Sequence, residues 1–385
     1  MKAITKKFTV DYQYSLQFTD GLFDTGNRLL ASLLETEGAT PTKVLFVVDD
    51  GVVEAHPRLI RKIDRYCETH AKAIALRDTL VLTGGEASKN EPKAIAQVLA
   101  AINDRGICRH SFVVAVGGGA LIDMVGYAAN TAHRGVKLIR VPTTVLAQND
   151  ASVGVKNSIN AFGKKNFLGT FALPYAIIND YSFLATLEQR DWISGIAEAI
   201  KVALIKDSDF FDFIKTNANA LAERDKEAMQ TLIHRCAEIH MDHIAGNGDP
   251  FESGSSRPLD FGHWAAHKLE QMTAYNLRHG EAVAMGIALD VTYSHAVGLI
   301  DGATMDLILE VFETVGFDIR LPIESDNDCD ELLKGLEEFR EHLGGRLTIT
   351  LISGIGKQHD VHEIDHTKMR EAIAVRSGKK EELSC

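Results

Sequence analysis

Three histidines and one glutamate in the second half of the sequence are of types that bind metal ions. His263 and His267 lie in "DFGHWAAHKLE", His279 opens "HGEAVAMG", and Glu198 lies in "SGIAEAIK". A helix would bring His263 and His267, four residues apart, to one face. A catalytic Zn²⁺ takes three ligands of these types and keeps one position open, and no cysteines have the spacing of a closed structural site. The pattern favours a catalytic metal site, with histidines packed in an apolar core as the alternative.

Three consecutive glycines in the first half indicate a nucleotide site. Gly117, Gly118 and Gly119 separate the apolar run "FVVAV" from the helical stretch "ALIDMVGYAA". Backbone without side chains can approach a pyrophosphate closely, and a helix N-terminus adds amide donors and a favourable dipole. The run is not the GxGxxG fingerprint, so a glycine turn required for tight packing is the alternative.

Charged side chains follow two neighbouring strand-like runs. Asp49 and Asp50 end "VLFVVDD", where a carboxylate could accept ribose hydroxyls, and "TGGEASKN" supplies Glu86 and Lys89. Aspartate at a strand end is also a common turn former, so the ribose role and the turn role are both open.

A third group of residues is rich in cations and amides. An acidic protein that collects such donors close to a nucleotide loop is suited to bind a further phosphate, although a solvated lysine-rich turn is the alternative. The group comprises Lys156, Asn160, Lys164, Lys165 and Asn166 in "VPTTVLAQNDASVGVKNSINAFGKKNFLG", with Arg134 upstream in "HRGVK".

The elements that would position these residues change character near Ser182. Before it, β-rich runs such as "KVLFVVDD", "SFVVAVGGG" and "VKLIRVPTT" alternate with helical stretches, which predicts a parallel, doubly wound sheet. After it, helical periodicity dominates, with one short strand in "RLTITLISG". We therefore predict an α/β domain over residues 1–184 and an all-α domain over residues 185–385.

Composition excludes several classes of protein. Of the 385 residues, 53 are acidic and 41 are Lys or Arg, for a net charge of −12 without a basic cluster, which argues against nucleic-acid binding. The N-terminus lacks a signal-peptide core and no run of about 18 apolar residues could span a bilayer, so we expect a cytoplasmic protein without a membrane partner. The five cysteines, among them Cys385, are scattered, and we expect free thiols.

The motifs together resemble the 3-dehydroquinate synthase superfamily, the sugar phosphate cyclases. "GGGALIDMVGYAA", "HRGVKLIRVPTTVLAQNDASVGVK", "GKKNFLG", "SGIAEAIK", "DFGHWAAH" and "HGEAVAMG" occur in the order and approximate spacing of that family, over roughly residues 40–355. The resemblance implies a dehydroquinate synthase-like fold with a Rossmann-like NAD domain and a helical domain. It also implies one divalent metal ion, zinc or cobalt, and a homodimer.

The resemblance also implies roles for particular residues. The metal ligands would be Glu198, His263 and His279, and Asp49 remains the candidate for the ribose. The NAD contacts would be Glu86, Lys89, Gly117, Gly118, Gly119, Asp123, Thr143 and Thr144, with Lys165 between cofactor and substrate. The residues facing a sugar phosphate would be Asp150, Lys156, Asn166, Lys201, Asp260 and His267, with Arg134 supplied by the partner subunit.

Departures from the family pattern bear on the substrate. The family usually has "GLRxxLNxGHTxGH", whereas this chain has "GSSRPLDFGHWAAH", with Ser256 at the arginine position and Asp260 at the asparagine position. His240 replaces a lysine, and "FREHLGG" replaces paired lysines. Those family cations bind the carboxylate of a seven-carbon keto-acid phosphate, and a buried carboxylate without a partner is costly. The resemblance therefore favours sedoheptulose 7-phosphate, as in the 2-epi-valiolone synthase branch.

The implied reaction oxidises one alcohol transiently with NAD, eliminates phosphate, returns the hydride and closes a carbocycle by an aldol step. One alternative is 3-dehydroquinate synthase activity, if Arg257, Arg340 or His342 replaces the missing cations. Another is a metal-dependent alcohol or glycerol dehydrogenase, and a third is a non-catalytic protein on this fold. A desmethyl-4-deoxygadusol synthase or a 2-epi-5-epi-valiolone synthase would also use sedoheptulose 7-phosphate.

Overall fold

The computed structural model describes residues 3–35, 40–162, 164–246, 251 and 257–378, and the backbone but not the side chain of His342. Ser256 and Cys385 lie outside the described residues. The strands are β1 (Ser15–Thr19), β2 (Thr42–Asp49), β3 (Ile74–Leu82), β4 (Phe112–Gly117), β5 (Lys137–Pro142), β6 (Lys156–Ala161), β7 (Lys164–Phe171), β8 (Ala176–Asp180), β9 (Ile349–Gly354) and β10 (Lys357–Val361).

The helices are α1 (Leu29–Leu34), α2 (Asp50–Ala55), α3 (Leu59–Thr69), α4 (Pro92–Asp104), α5 (Gly119–Thr131), α6 (Gln189–Ser194), α7 (Ile196–Lys206), α8 (Ser208–Thr216), α9 (Ala218–Ala222), α10 (Lys226–Gly246), α11 (His263–Met272), α12 (His279–Ala296), α13 (Gly302–Val315), α14 (Asp326–His342) and α15 (His366–Arg376). Among the described residues, no helix combines the length and the apolar character needed to cross a membrane.

The chain divides into two compact units, which are described separately. The first comprises the described residues of Met1–Thr143 and Gly154–Phe183, and the second those of Thr144–Val153 and Leu184–Cys385. Thr144–Val153 thus belongs to the second unit, which a division at a single point in the sequence does not anticipate.

Six parallel strands form the sheet of the first unit, in the order β1-β8-β5-β4-β2-β3. Residues 44–48 of β2 are completely buried because both faces of the sheet are covered, as in other parallel sheets. Phe46 packs with Ile63 of α3 on one face, whereas Val47 packs with Val98 of α4 on the other. The predicted doubly wound α/β fold is confirmed.

The carboxyl ends of two central strands meet where the strand order reverses. β3 lies on one side of β2 and β4 on the other, so β2 and β4 flank a topological switch point. Asp49 ends β2 and Gly117 ends β4. Ligands of open α/β sheets bind at such a point, so the fold places the predicted nucleotide residues at a suitable edge.

Several strands are not among those predicted from the sequence. The polar stretch, for which a solvated lysine-rich turn was the alternative, forms an antiparallel hairpin of β6 and β7, and "AIIND" forms β8. Another is β10, which pairs with β9 and adds a hairpin to the second unit. β7 exposes most of its side chains, so it lacks the apolar alternation by which strands are recognised.

In the second unit, α11 and α12 pack with their backbones in close approach. Gly262, which precedes α11, has φ +78, and a Cβ on Gly286 of α12 would lie 2.1 Å from the Gly262 carbonyl oxygen. Only glycine leaves room for this backbone contact. The contact matters because His263 opens α11 and His279 opens α12.

We predict that Gly286→Ala destabilises the protein by about 1–3 kcal/mol because the added methyl group overpacks a rigid backbone contact. The matched control is Gly302→Ala at the start of α13, where the added Cβ would lie 3.6 Å from the His295 ring, an ordinary contact. Denaturant unfolding measures both changes. Equal stability of the two variants would contradict the packing argument.

Candidate active site

Three helices bring Glu198, His263 and His279 to one point in the second unit. The Glu198 Oε1 atom lies 3.6 Å from His263 Nε2 and 3.5 Å from His279 Nε2, too far for hydrogen bonds. Ligand atoms about 2.0–2.2 Å from a tetrahedral ion are about 3.3–3.6 Å apart, so the observed spacings suit three ligands of a single ion. Together the three residues offer one ligand atom each within 4.8 Å of one another. They fit a divalent metal.

Neighbouring acceptors orient both histidine rings. His263 Nδ1 lies 3.1 Å from the Phe261 carbonyl oxygen, which can only accept, so Nδ1 carries the proton and the Nε2 lone pair faces Glu198. His279 Nδ1 lies 3.4 Å from Glu270 Oε1, and carboxylates commonly orient metal-binding histidines in this way. The sequence interpretation overlooked Glu270. Its position seven residues after His263, on the same helical face, was the available signal.

His267 lies beside the same cluster. Its ring centroid is 5.4 Å from that of His263 and 6.0 Å from that of His279. His267, Glu270 and His279 form a second group whose ligand atoms lie within 4.8 Å of one another. The structure thus brings all three histidines together, and the assignment of His267 to a phosphate stays a prediction.

A buried cation lies next to the Glu198 carboxylate. Lys201, one helical turn along α7, forms an ion pair with Glu198 Oε2. Burial would raise the pKa of Glu198, but Lys201 and the two histidines hold it well below its usual range. Burial, reinforced by Lys201, lowers the pKa of His263. Glu198 is therefore charged and His263 neutral, the protonation states that metal ligands require.

A second ion pair joins the buried His240 to Asp150, which is partly exposed. His240 Nε2 lies 2.9 Å from Asp150 Oδ1, and His240 Nδ1 lies 2.8 Å from the Cys236 carbonyl oxygen. Burial opposes charge on the imidazole, but Asp150 and Cys236 raise the pKa of His240 well above its usual value. Burial likewise opposes charge on Asp150, whereas His240 and Lys201 hold its pKa below its usual range. The charge of His240 is thus matched by Asp150.

The first unit gathers four predicted NAD or substrate residues into one hydrogen-bond network. Lys89 Nζ donates to Asp123 Oδ2 at 2.8 Å and also to Asn166 Oδ1, which accepts a further hydrogen bond from Ser158 at 2.9 Å. Asn160 links Glu86 to the backbone of Asn166, because its Nδ2 donates to Glu86 Oε1 at 3.0 Å and its Oδ1 accepts from the Asn166 amide at 2.8 Å. Lys89 is nearly completely buried, so the network holds its ammonium group in place.

The glycine turn packs against Asp49. A Cβ on Gly117 would lie 3.0 Å from Asp49 Cβ, and one on Gly84 would lie 2.0 Å from Asp49 Oδ2. Asp49 also accepts a hydrogen bond from the Gly51 amide and so caps α2. Tight packing, the alternative given for the glycines, is therefore present at these positions, and Asp49 has a local role in capping a helix. Gly118 caps α5 and is partly exposed, which leaves the start of that helix accessible.

The remaining candidates lie at several places. Thr143 donates its backbone amide to the Gly117 carbonyl oxygen, and Thr144 accepts a hydrogen bond from the Ala147 amide through Oγ1. Asp260 ends the short turn before α11. Three cations show different exposure: Lys156 and Arg134 are exposed and Lys165 is half-buried.

The three proposed replacements for the missing family cations differ. Arg340 is largely exposed and forms a 2.6 Å ion pair with Glu337 on its own helix. Arg257 is half-buried, and its Nε has no hydrogen-bond partner within the described ranges. The side chain of His342 lies outside them.

Two models of the 3-dehydroquinate synthase family match adjoining parts of the chain. The N-terminal model matches residues 79–194 and the C-terminal model residues 195–338, together more than half of the sequence. The chain belongs to the 3-dehydroquinate synthase superfamily of sugar phosphate cyclases. The family resemblance stated from the motifs is confirmed, as is the dehydroquinate synthase-like fold.

Individual relatives differ in the reactions that they are named for. A 3-dehydroquinate synthase of Shewanella sp. (strain MR-4) is 33% identical over 296 residues, which cover 77% of this chain and 81% of the relative. One similar solved structure is that of ValA, a 2-epi-5-epi-valiolone synthase from Streptomyces hygroscopicus subsp. jinggangensis 5008, with NAD⁺ and Zn²⁺ bound. Its sequence is 27% identical to this chain, its TM-score is 0.86, and the match covers 98% of this chain and 100% of ValA. A 2-deoxy-scyllo-inosose synthase, 22% identical with a TM-score of 0.77 and covering 93% and 95%, shares the fold.

We predict that the Asp150–His240 pair gives this cyclase a pH-dependent stability. The raised pKa of His240 makes its contribution complete below about pH 6.5, and it is lost as pH rises through the folded-state pKa. The lowered pKa of Asp150 makes its contribution complete above about pH 3.8, and it is lost as pH falls through the folded-state pKa. Each pKa unit corresponds to about 1.4 kcal/mol.

The free energy of unfolding of His240→Gln should therefore lie further below that of the wild type at pH 6 than at pH 9. The control is Thr231→Val, which changes an exposed residue of the same helix that has no titratable group and should show the same difference at both pH values. A His240→Gln deficit that does not change between pH 6 and pH 9 would contradict the assignment of a protonated imidazole.

Proposed function

We propose that the protein is an NAD- and metal-dependent, phosphate-eliminating lyase that converts sedoheptulose 7-phosphate into a C7 cyclitol of the 2-epi-valiolone type. The observation that carries the proposal concerns the positions where the family binds a substrate carboxylate. There this chain has either a cation that is already paired or an added negative charge. His240, at a family lysine position, is buried against Asp150, and Asp260 puts a carboxylate where the family has an amide.

Electrostatics at these positions disfavour an acidic substrate. Asp260 is half-buried, and a carboxylate brought close to it would meet a like charge at a position where the family has a neutral amide. The His240 imidazolium already neutralises Asp150, and Arg340 already pairs with Glu337, so neither cation is left to balance another carboxylate. A neutral ketose chain avoids this cost, whereas the phosphate at its far end still requires cations.

Two cofactors are part of the proposal. When bound, NAD would take up and return a hydride, and a divalent ion would polarise the alcohol oxygen that is oxidised. Glu198, His263 and His279 would hold the ion, in keeping with their mutual spacings. The start of α5 and the network around Lys89 and Asp123 are the proposed NAD contacts.

The roles proposed for the other residues follow from their charge. Lys156, Lys201, Asn166 and His267, with Arg134 from the partner subunit of a homodimer, would bind the phosphate. Lys201 can do so as a cation, because burial lowers its pKa but Glu198 and Asp150 raise it by more. The leaving phosphate can itself take the proton from the adjacent carbon, so the chain would need to orient it rather than supply a separate base. Elimination leaves an unsaturated ketone, and once the hydride has returned to the carbonyl carbon, the resulting enol ether requires only ring opening and aldol closure.

A second candidate is 3-dehydroquinate synthase activity on 3-deoxy-arabino-heptulosonate 7-phosphate. It is favoured by the 33% identical relative of that name. The half-buried Arg257, whose Nε lacks a hydrogen-bond partner among the described residues, is the cation that could receive the keto-acid carboxylate in that case. Arg257→Gln therefore separates the two: it should abolish turnover of a keto acid and leave turnover of a ketose phosphate largely intact.

The test is phosphate release by purified protein loaded with NAD and Zn²⁺ or Co²⁺, with each of the two sugar phosphates as substrate. We expect release from sedoheptulose 7-phosphate, a C7 cyclitol in the NMR spectrum and no net NADH. The control Glu198→Gln, which keeps the shape of the side chain and removes its charge, should lose at least about 100-fold in rate because a metal ligand is weakened.

Turnover of the keto-acid phosphate alone would contradict the proposal and support the second candidate. Steady NADH accumulation with a simple polyol would instead identify an alcohol dehydrogenase. Product stereochemistry in the same NMR spectrum separates the 2-epi-valiolone product from its 5-epimer and from desmethyl-4-deoxygadusol.

A further inference from the structure

A buried carboxylate on α12 contacts the backbone and side chain on either side of a metal-binding histidine. Asp290 is completely buried. Its Oδ2 accepts a hydrogen bond from the Gly262 amide at 3.1 Å, and its Oδ1 accepts one from the Trp264 indole N–H at 2.9 Å. Gly262 and Trp264 are the residues immediately before and after His263.

Burial of the Asp290 carboxylate carries a desolvation penalty, so a residue of this type calls for a structural explanation. Burial raises the pKa of Asp290 to about 7, while the hydrogen bonds from Trp264 and Gly262 act against this rise. An apolar side chain on α12 would avoid the desolvation penalty altogether. The carboxylate instead lies at the N-terminus of α11, where the helix dipole and free amide groups favour an anion.

The contact ties together the two helices that carry metal ligands. α12 begins with His279 and, eleven residues later, presents Asp290 to the start of α11. The close approach of Gly262 and Gly286 leaves the two backbones no space between them. The His263 ring in turn is oriented by the Phe261 carbonyl oxygen, so its direction depends on the backbone that Asp290 holds.

We propose that Asp290 is a positioning residue of the metal centre, which fixes His263 relative to His279 by holding α11 on both sides of His263. The proposal rests on the metal site of the proposed function. Asp290 itself does not bind the ion. Its effect on the ion is through the geometry of one ligand.

Two substitutions separate this role from simple packing. Asp290→Asn keeps the size of the side chain but replaces one acceptor by an NH₂ group, which would face the Gly262 or Trp264 N–H, so one hydrogen bond is lost. Trp264→Phe keeps most of the ring and removes only the indole donor. The matched control is Thr292→Val, which removes a buried hydroxyl on the same helix that donates within the helix, to the Ala288 carbonyl oxygen.

The experiment measures the Co²⁺ dissociation constant by chelator competition, together with the visible absorption spectrum of the cobalt protein. We expect Asp290→Asn to bind Co²⁺ about 10- to 100-fold more weakly than wild type, the range typical of residues that orient metal ligands, and to show an altered spectrum. Thr292→Val should bind within about twofold of wild type with an unchanged spectrum, because it leaves the ligands in place.

A Trp264→Phe change in the same direction, with the double variant losing less than the product of the two single effects, would support a shared action. Wild-type affinity and spectrum in Asp290→Asn would overturn the proposal, and if that variant does not fold, wild-type values in Trp264→Phe would do so. The variant Glu198→Gln tests the metal site separately from the positioning role of Asp290. If Glu198→Gln binds Co²⁺ as tightly as wild type, the metal site of the proposed function is itself wrong.

Discussion

The Glu198 carboxylate is completely buried, and the second unit is built around compensation of that charge. Lys201 on the same helix and two histidines at the starts of α11 and α12 surround it. A buried charge without such partners would be neutralised or would destabilise the fold. The spacings from Glu198 to the histidines are too long for hydrogen bonds yet suit ligands of one ion, so the proposed metal ion would complete the compensation. The close contact of α11 with α12 and the carboxylates of Glu270 and Asp290 maintain this geometry.

Charge compensation also shapes the proposed choice of substrate. A cyclase that binds a keto acid needs cations free to receive a carboxylate. Here the His240 imidazolium is held by Asp150 at 2.9 Å, and Asp260 adds negative charge before α11. The same replacement of family cations that weakens recognition of an acid leaves the lysines proposed for phosphate binding intact. Selection among related sugar phosphates can thus arise from a few charges, without a change of fold.

The sequence predicted those features that depend on a local pattern of residues. Continuous apolar runs such as residues 44–48 predicted buried parallel strands, and the motifs identified three candidate metal ligands that the helices do bring together. The polar β6–β7 hairpin was missed because exposed strands lack apolar alternation. The assignment of Thr144–Val153 to the second unit was also not predictable, since it depends on packing between distant segments.

Contacts between residues far apart in the chain also could not be predicted from the sequence. Nothing near His240 indicates a partner 90 positions earlier, and nothing near Asp290 indicates that it holds Gly262 and Trp264. Such pairs arise from tertiary packing, so a single sequence identifies the ligands of a site more readily than the residues that orient them. The roles assigned to NAD- and phosphate-binding residues stay predictions.

The proposed metal centre is tested most directly by an anomalous-scattering map of crystals grown with Zn²⁺ or Co²⁺. We expect one peak about 2.0–2.2 Å from Glu198 Oε1, His263 Nε2 and His279 Nε2. A peak bound instead by His267, Glu270 and His279, or the absence of a peak at either group in metal-saturated crystals, would contradict it.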